Sequence, residues 1–177
     1  MEIYATLLLM TMLWYGYVKQ IIKLVKQKNA NGVSYQAFLL GALAGFSVFF
    51  QSEDVYIKFI YFVAALFCIL LTYLIIHYQR KSNYKTSENY VSLSISAIFS
   101  FFGIYGVAQV IKLYHYKFKE PIMVDTTSYF VWGSGYLFGV FFFSKEPSVI
   151  AVSIISSILM FGIVCYVYIY NKRLNSP

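Results

Sequence analysis

Apolar residues gather in six runs along the chain, at 3–25, 34–50, 55–78, 90–113, 128–143 and 148–170. A helix that spans a bilayer needs roughly 20 apolar residues, so each run is long enough or nearly so. The second and fifth are the shortest and suit helices with little tilt. Between the runs lie short turns and one longer polar stretch, HYQRKSNYKTSEN. The pattern predicts an all-α polytopic membrane protein with six transmembrane helices and no soluble domain. The first run starts Met-Glu and continues into lysines without a small-residue cleavage site, so it reads as mature structure and not as a secretory signal.

Composition agrees with the pattern. Only 12% of residues are charged, where a soluble domain carries about 25%, and mean hydropathy is +0.66. The net charge of +7 comes from basic residues clustered at the ends of the runs. That placement points to a bilayer with anionic lipids and to topology, and away from nucleic acid. Cys68 and Cys165 lie in separate runs, outside any CxxC or His-rich set, so neither a metal nor a disulfide is indicated and no cofactor is expected. Rich Lys and Ile usage suggests a bacterial source, hence a bacterial inner membrane. The sequence leaves a homo-oligomer open.

The runs repeat in threes. YGYVKQIIKL closes the first and YGVAQVIKL the fourth, which places Gln20 and Lys23 each 89 residues before Gln109 and Lys112. SYQAFLLGALAG opens the second and SYFVWGSGYLFG the fifth, pairing Ser34, Tyr35, Gly41 and Gly45 with Ser128, Tyr129, Gly135 and Gly139 at an offset of 94. Phe38 then matches Trp132, Glu53 falls 93 before Glu146, and the third and sixth runs end in QRK and NKR. The chain divides into a first three-helix unit at 1–80, a polar connector at 81–89 and a second three-helix unit at 90–177. Glycines four apart share one helix face and admit close backbone approach, so Gly41/Gly45 and Gly135/Gly139 are the expected packing positions.

The spacing of Gln20, Lys23, Lys28, Gly32 and Ser34 resembles the PQ-loop superfamily, which includes the SWEET, SemiSWEET and cystinosin-like membrane proteins. The second copy offers Gln109, Lys112, Lys117 and, after a longer loop, Ser128. Lys19 and Ala108 stand where that family has proline, so the kink expected there is absent. The resemblance implies transport of a small polar solute, such as a sugar, amino acid or vitamin, by alternating access. No enzymatic function is implied. A non-transporting receptor or assembly factor of the same fold is the alternative, and the missing prolines favour it. Without a carboxylate at membrane depth, facilitated movement is expected over proton coupling.

Three is odd, and the connector, with Arg80, Lys81, Lys85 and Glu88, is too polar to cross hydrocarbon. The two units are therefore expected to be inverted, related by an axis in the membrane plane, with both termini outside. The basic residues then divide eight to six between the two sides, and each unit read alone prefers its first loop inside. A run that fails to cross would instead leave the units parallel.

The candidate solute or gate positions are Lys19, Gln20, Gln109, Trp132, Ser153 and Ser157. Lys19 is either a snorkelling amine or a cation on the pathway that favours a carboxylate. Gln20 and Gln109 each donate and accept, suiting backbone capping at a gate as well as solute binding. Trp132 offers an aromatic face. Ser153, Ser156 and Ser157 are the nearest polar groups on the sixth run. Every acid lies at a run end or in a loop, and neither His77 nor His115 belongs to a catalytic arrangement.

Overall fold

A computed structural model of the chain describes residues 2–81, 90–101, 104, 106–116, 120–143 and 147–174. Most of the polar connector, together with Lys117, Lys145 and Glu146, lies outside these residues. The described residues form seven helices and no strand: α1 (Glu2–Gln27), α2 (Tyr35–Gln51), α3 (Val55–Lys81), α4 (Tyr90–Phe101), α5 (Val107–Tyr114), α6 (Thr126–Phe143) and α7 (Pro147–Leu174).

The boundaries follow from local chemistry. Lys28, at φ +49°, ends α1 in a left-handed turn. The Ser34 hydroxyl accepts from the Ala37 N–H at 3.3 Å and caps α2. Asp54 does the same for α3, accepting from the N–H groups of Tyr56 and Ile57 at 2.7 and 3.2 Å. Asp125 accepts from the Ser128 N–H at 2.8 Å and starts α6. Each cap supplies a partner to amides that a helix leaves bare at its first turn.

Two helices, Val55–Gln79 of α3 and Pro147–Leu174 of α7, are long and apolar enough to cross a membrane; α2 and α4 are shorter apolar helices. Their outer faces carry Phe59, Phe62, Leu66, Ile69 and Leu70 on α3 and Ile154, Ile155, Ile158 and Ile169 on α7, all exposed. Such continuous apolar surface fits hydrocarbon better than water.

The helices associate in a repeated way. In the first half α3 packs on both α1 and α2; in the second α7 packs on both α5 and α6. Across the halves α1 packs on α6, while α2 packs on α4 and α5.

The fourth apolar run is not a single helix. It divides into α4 and α5, and the glycine that opens α5, Gly106, has φ +97°. The two pieces fold back on one another. Near the start of α4, Ser92 donates to Gln36 at 3.2 Å; on α5, Gln109 accepts from the Ser34 N–H at 2.9 Å and donates to the Gly32 carbonyl. On a continuous helix residues 92 and 109 would be about 26 Å apart, yet their partners lie within residues 32–36. A Cβ at Gly106 would meet Met160 and Ile163 of α7, two to three turns inward of Asn171, which marks the loop end of that helix. The chain therefore runs inward from the loop end along α4 and comes back to that end along α5.

This overturns the inverted arrangement. Both the loop after α1 and the loop after α5 lie at one end of the molecule, where the Met123 N–H donates to the Asn31 carbonyl at 2.8 Å. The odd number of apolar runs is matched by α4 and α5 turning back to the same end, so the two halves run parallel in the fold.

The expected glycine packing holds in one half only. A Cβ at Gly45 would fall 3.1 Å from the Ala65 Cβ and from the Tyr61 carbonyl, and one at Gly41 would fall 3.2 Å from the Cys68 sulfur, so both sit at the α2–α3 crossing. Gly135 faces only Leu9 at 3.6 Å, and Gly139 has nothing within 4 Å. The close approach of α6 to α7 is made at Gly133, where a Cβ would lie 3.0 Å from the Phe161 ring. The second GxxxG spacing thus falls off the face that α6 turns to α7.

Candidate functional site

The loop end is tied together by side-chain amides. Gln20 of α1 is fully buried. Its oxygen accepts from the Asp125 N–H at 2.7 Å, and its nitrogen donates to the Met123 carbonyl at 3.3 Å. Gln109 of α5 is also fully buried. Its oxygen accepts from the Ser34 N–H at 2.9 Å and from the Tyr129 hydroxyl at 3.3 Å, and its nitrogen donates to the Gly32 carbonyl at 2.6 Å.

Ser34 caps α2 and Asp125 caps α6. Each glutamine therefore grips the N–H of the cap residue, and the carbonyl two residues earlier, on the second helix of the opposite half. One plan is used twice. In these contacts Asp125, not Ser128, stands to Gln20 as Ser34 stands to Gln109. Ser128 stands three residues further on and donates through both its N–H and hydroxyl to Asp125, at 2.8 and 2.9 Å. Phe38 then corresponds to Tyr129.

A second pair of amides holds each loop to its own half. Gln79, near the end of α3, donates to the Val33 carbonyl at 2.9 Å. Asn171, near the end of α7, accepts from the Ile122 N–H at 2.8 Å and donates to its carbonyl at 3.0 Å. The loops meet through Asn31, whose side chain donates to Glu120. Lys23 donates to the Val124 carbonyl at 2.9 Å. Gly32, at φ +72°, lies against Ile122, where a Cβ would fall 2.9 Å from the side chain. Ala30, Val33, Ile122 and Val124 are buried beneath this clasp, so its hydrogen bonds are shielded from water and costly to leave unmade.

One layer deeper sits Trp132. Its indole donates to the Leu13 carbonyl at 3.2 Å. The rings of Tyr17 and Tyr129 lie at 5.0 Å and that of Phe38 at 6.1 Å. The indole crosses α1 at Gly16, where an added Cβ would lie 2.3 Å from the indole nitrogen. The centre of the molecule is thus filled by aromatic rings.

The other candidates stand apart. Lys19 lies half-buried on the flank of α1, its ammonium 5.5 Å above the ring of exposed Tyr15. Ser157 is buried and donates to the Gly133 carbonyl at 2.8 Å, tying α7 to α6. Ser153 is half-buried on the same helix. Among the described residues no three His, Cys, Asp or Glu side chains gather to hold a metal ion.

Sequence reasoning brought Gln20, Gln109 and Trp132 forward but missed Asp125, Asn31, Gly16 and Gly133. The matched endings QRK and NKR were the available signal for Gln79 and Asn171. No protein-family model matches the chain. Neither a curated protein nor a solved structure matches it.

Proposed function

We propose that the chain is a membrane transporter of a small polar solute that works by alternating access, in a state closed at the clasp end. The observation that carries this reading is the reciprocal grip of Gln20 and Gln109, each holding the opposite half through neutral hydrogen bonds. Such bonds contribute about 0.5–1.5 kcal/mol net apiece. A seal made of a few of them is firm enough to close one end, and weak enough to open when solute binding favours the other state.

The resemblance to PQ-loop proteins supports the same reading, with two three-helix units now parallel. The kink that those proteins draw from proline is absent from α1, which runs unbroken through Lys19. In the second half the break at Gly106, three residues before Gln109, supplies a bend at the matching height. Movement is facilitated rather than proton-coupled, since among the described residues the helices offer no carboxylate at depth.

The parallel arrangement also resolves the charge conflict. All fourteen Lys and Arg residues except Lys58 and Lys145 belong to the clasp end or to segments joining helix ends found there. The positive-inside rule then puts that end in the cytoplasm of a bacterial inner membrane, with the amino terminus outside and the carboxyl terminus inside. Single cysteines test this in a background lacking Cys68 and Cys165. Ser87→Cys and Ser176→Cys are expected to react with an impermeant maleimide only from the cytoplasmic side, and Glu53→Cys only from outside. Labelling of Ser176→Cys from outside would restore the inverted units.

Transport is tested in proteoliposomes against a panel of labelled sugars, amino acids, vitamins and small carboxylates. At least one is expected to equilibrate faster than in empty vesicles, and Gln20→Ala is expected to slow it. Exclusion of the whole panel would favour the second reading, a membrane receptor or assembly factor. The ring-filled centre around Trp132 is the observation on that side.

A further inference from the structure

The polar groups where α4 meets α2 are left over by the clasp. Gln36, on the first turn of α2, is buried, and its oxygen accepts from the Ser92 hydroxyl at 3.2 Å. Its amide nitrogen donates to nothing among the described residues. Ser96 follows Ser92 by one turn, so both lie on the same face of α4. Ser96 is the buried residue of that helix, and its hydroxyl has no hydrogen-bond partner. A buried hydroxyl without a partner is uncommon and calls for a reason.

The helices supply the rest. Both α2 and α4 begin at the clasp end and run inward side by side, so their positive ends are adjacent. Each helix N-terminus carries the equivalent of about half a positive charge. Two of them side by side favour a negative group between them, and a carboxylate there would accept from the Gln36 amide. Ser96 lies about 6 Å further along the helix axis than Ser92. A hydroxyl or amino group on the next carbons sits roughly 3–4 Å from its carboxylate, and a hydrogen bond of about 3 Å spans the remainder to Ser96.

We propose that Gln36, Ser92 and Ser96, with the paired starts of α2 and α4, bind a small hydroxy- or amino-carboxylate, the carboxylate at Gln36 and the second polar group at Ser96. The site deepens the transporter reading by naming a solute class. The first turn of α6 has Thr127 where α2 has Gln36, so no equivalent stands there among the described residues.

The test is saturable binding of labelled acetate, lactate, alanine and succinate to the full chain in lipid nanodiscs, with lactamide and glucose as competitors. At least one hydroxy- or amino-carboxylate is expected to bind more tightly than acetate, with lactamide failing to compete. Gln36→Glu keeps the shape but opposes the charge, and should weaken binding about tenfold or more, the effect of losing one charge-assisted contact. Ser96→Ala should remove the preference for lactate over acetate while leaving acetate affinity unchanged. Thermal unfolding of both variants checks that they fold; Ser96→Thr, which keeps the hydroxyl, should retain the preference. Absence of saturable binding to the wild type, equal competition by lactamide, or affinities unmoved by both Gln36→Glu and Ser96→Ala would each overturn the site. Binding without uptake would keep the site and refute transport, whereas uptake of glucose without carboxylate binding would refute the site alone.

Discussion

Replacing Gln109 by leucine is expected to destabilise the fold by roughly 2–5 kcal/mol, more than any other clasp substitution. Leucine has nearly the same bulk, so the loss is chemical rather than steric. It strips partners from the Ser34 N–H, the Gly32 carbonyl and the Tyr129 hydroxyl at once. Ser34 and Tyr129 are buried, and water reaches neither. Each buried polar group left unsatisfied costs about 1–3 kcal/mol. Gln20→Leu removes two partners, both at the less buried 123–125 segment, and should cost less. Reversible unfolding of the two variants in mixed micelles, measured side by side, checks the order. Equal midpoints for Gln109→Leu and wild type would mean that the amide does not grip the α2 cap.

The second large effect is expected at Gly16. Alanine there would put a methyl 2.3 Å from the Trp132 nitrogen and 2.7 Å from Cε2, well inside van der Waals contact. The indole has no room to retreat, because Tyr17, Tyr129 and Phe38 surround it. The helices must part instead. Overpacking of this kind costs about 1–3 kcal/mol, and the Leu13–Trp132 hydrogen bond would be lost with it. Trp132→Leu should relieve the clash, so the double variant is expected to be more stable than the sum of the two single changes by about 1 kcal/mol or more. Strict additivity would place the indole elsewhere.

Apolar runs located most helices to within a few residues: 34–50 against α2, 55–78 against α3, 148–170 against α7. The failure at 90–113 has a physical source. Hydrophobicity reports the surroundings of a segment and not its direction, and two short helices with apolar neighbours read as one long helix. The glycines of FFGIYG and the serine face at 92, 96 and 100 were the visible signs. An inverted topology followed from that one misjudged segment. The clasp was half legible. Repetition exposed Gln20 and Gln109, but their partners are backbone groups in loops, which leave no mark in side-chain identity. The repeated Ser-Tyr drew the alignment to Ser128 and hid Asp125, whose carboxylate caps α6 as the Ser34 hydroxyl caps α2. The second GxxxG was misread because spacing names a helix face without saying what that face meets.

During synthesis the amino-terminal half emerges first, and the Gly32 carbonyl and Ser34 N–H then have no side chain to hold them until the ribosome has delivered residue 109. The later half has the converse debt, since the start of α6 depends on Gln20, made long before. Neither fragment expressed alone has its loop completed, and two fragments cut within 82–89 should become protease-resistant only when produced in the same cell. Folding is thus a matter of waiting: the first three helices must persist, unfinished, until their counterpart arrives.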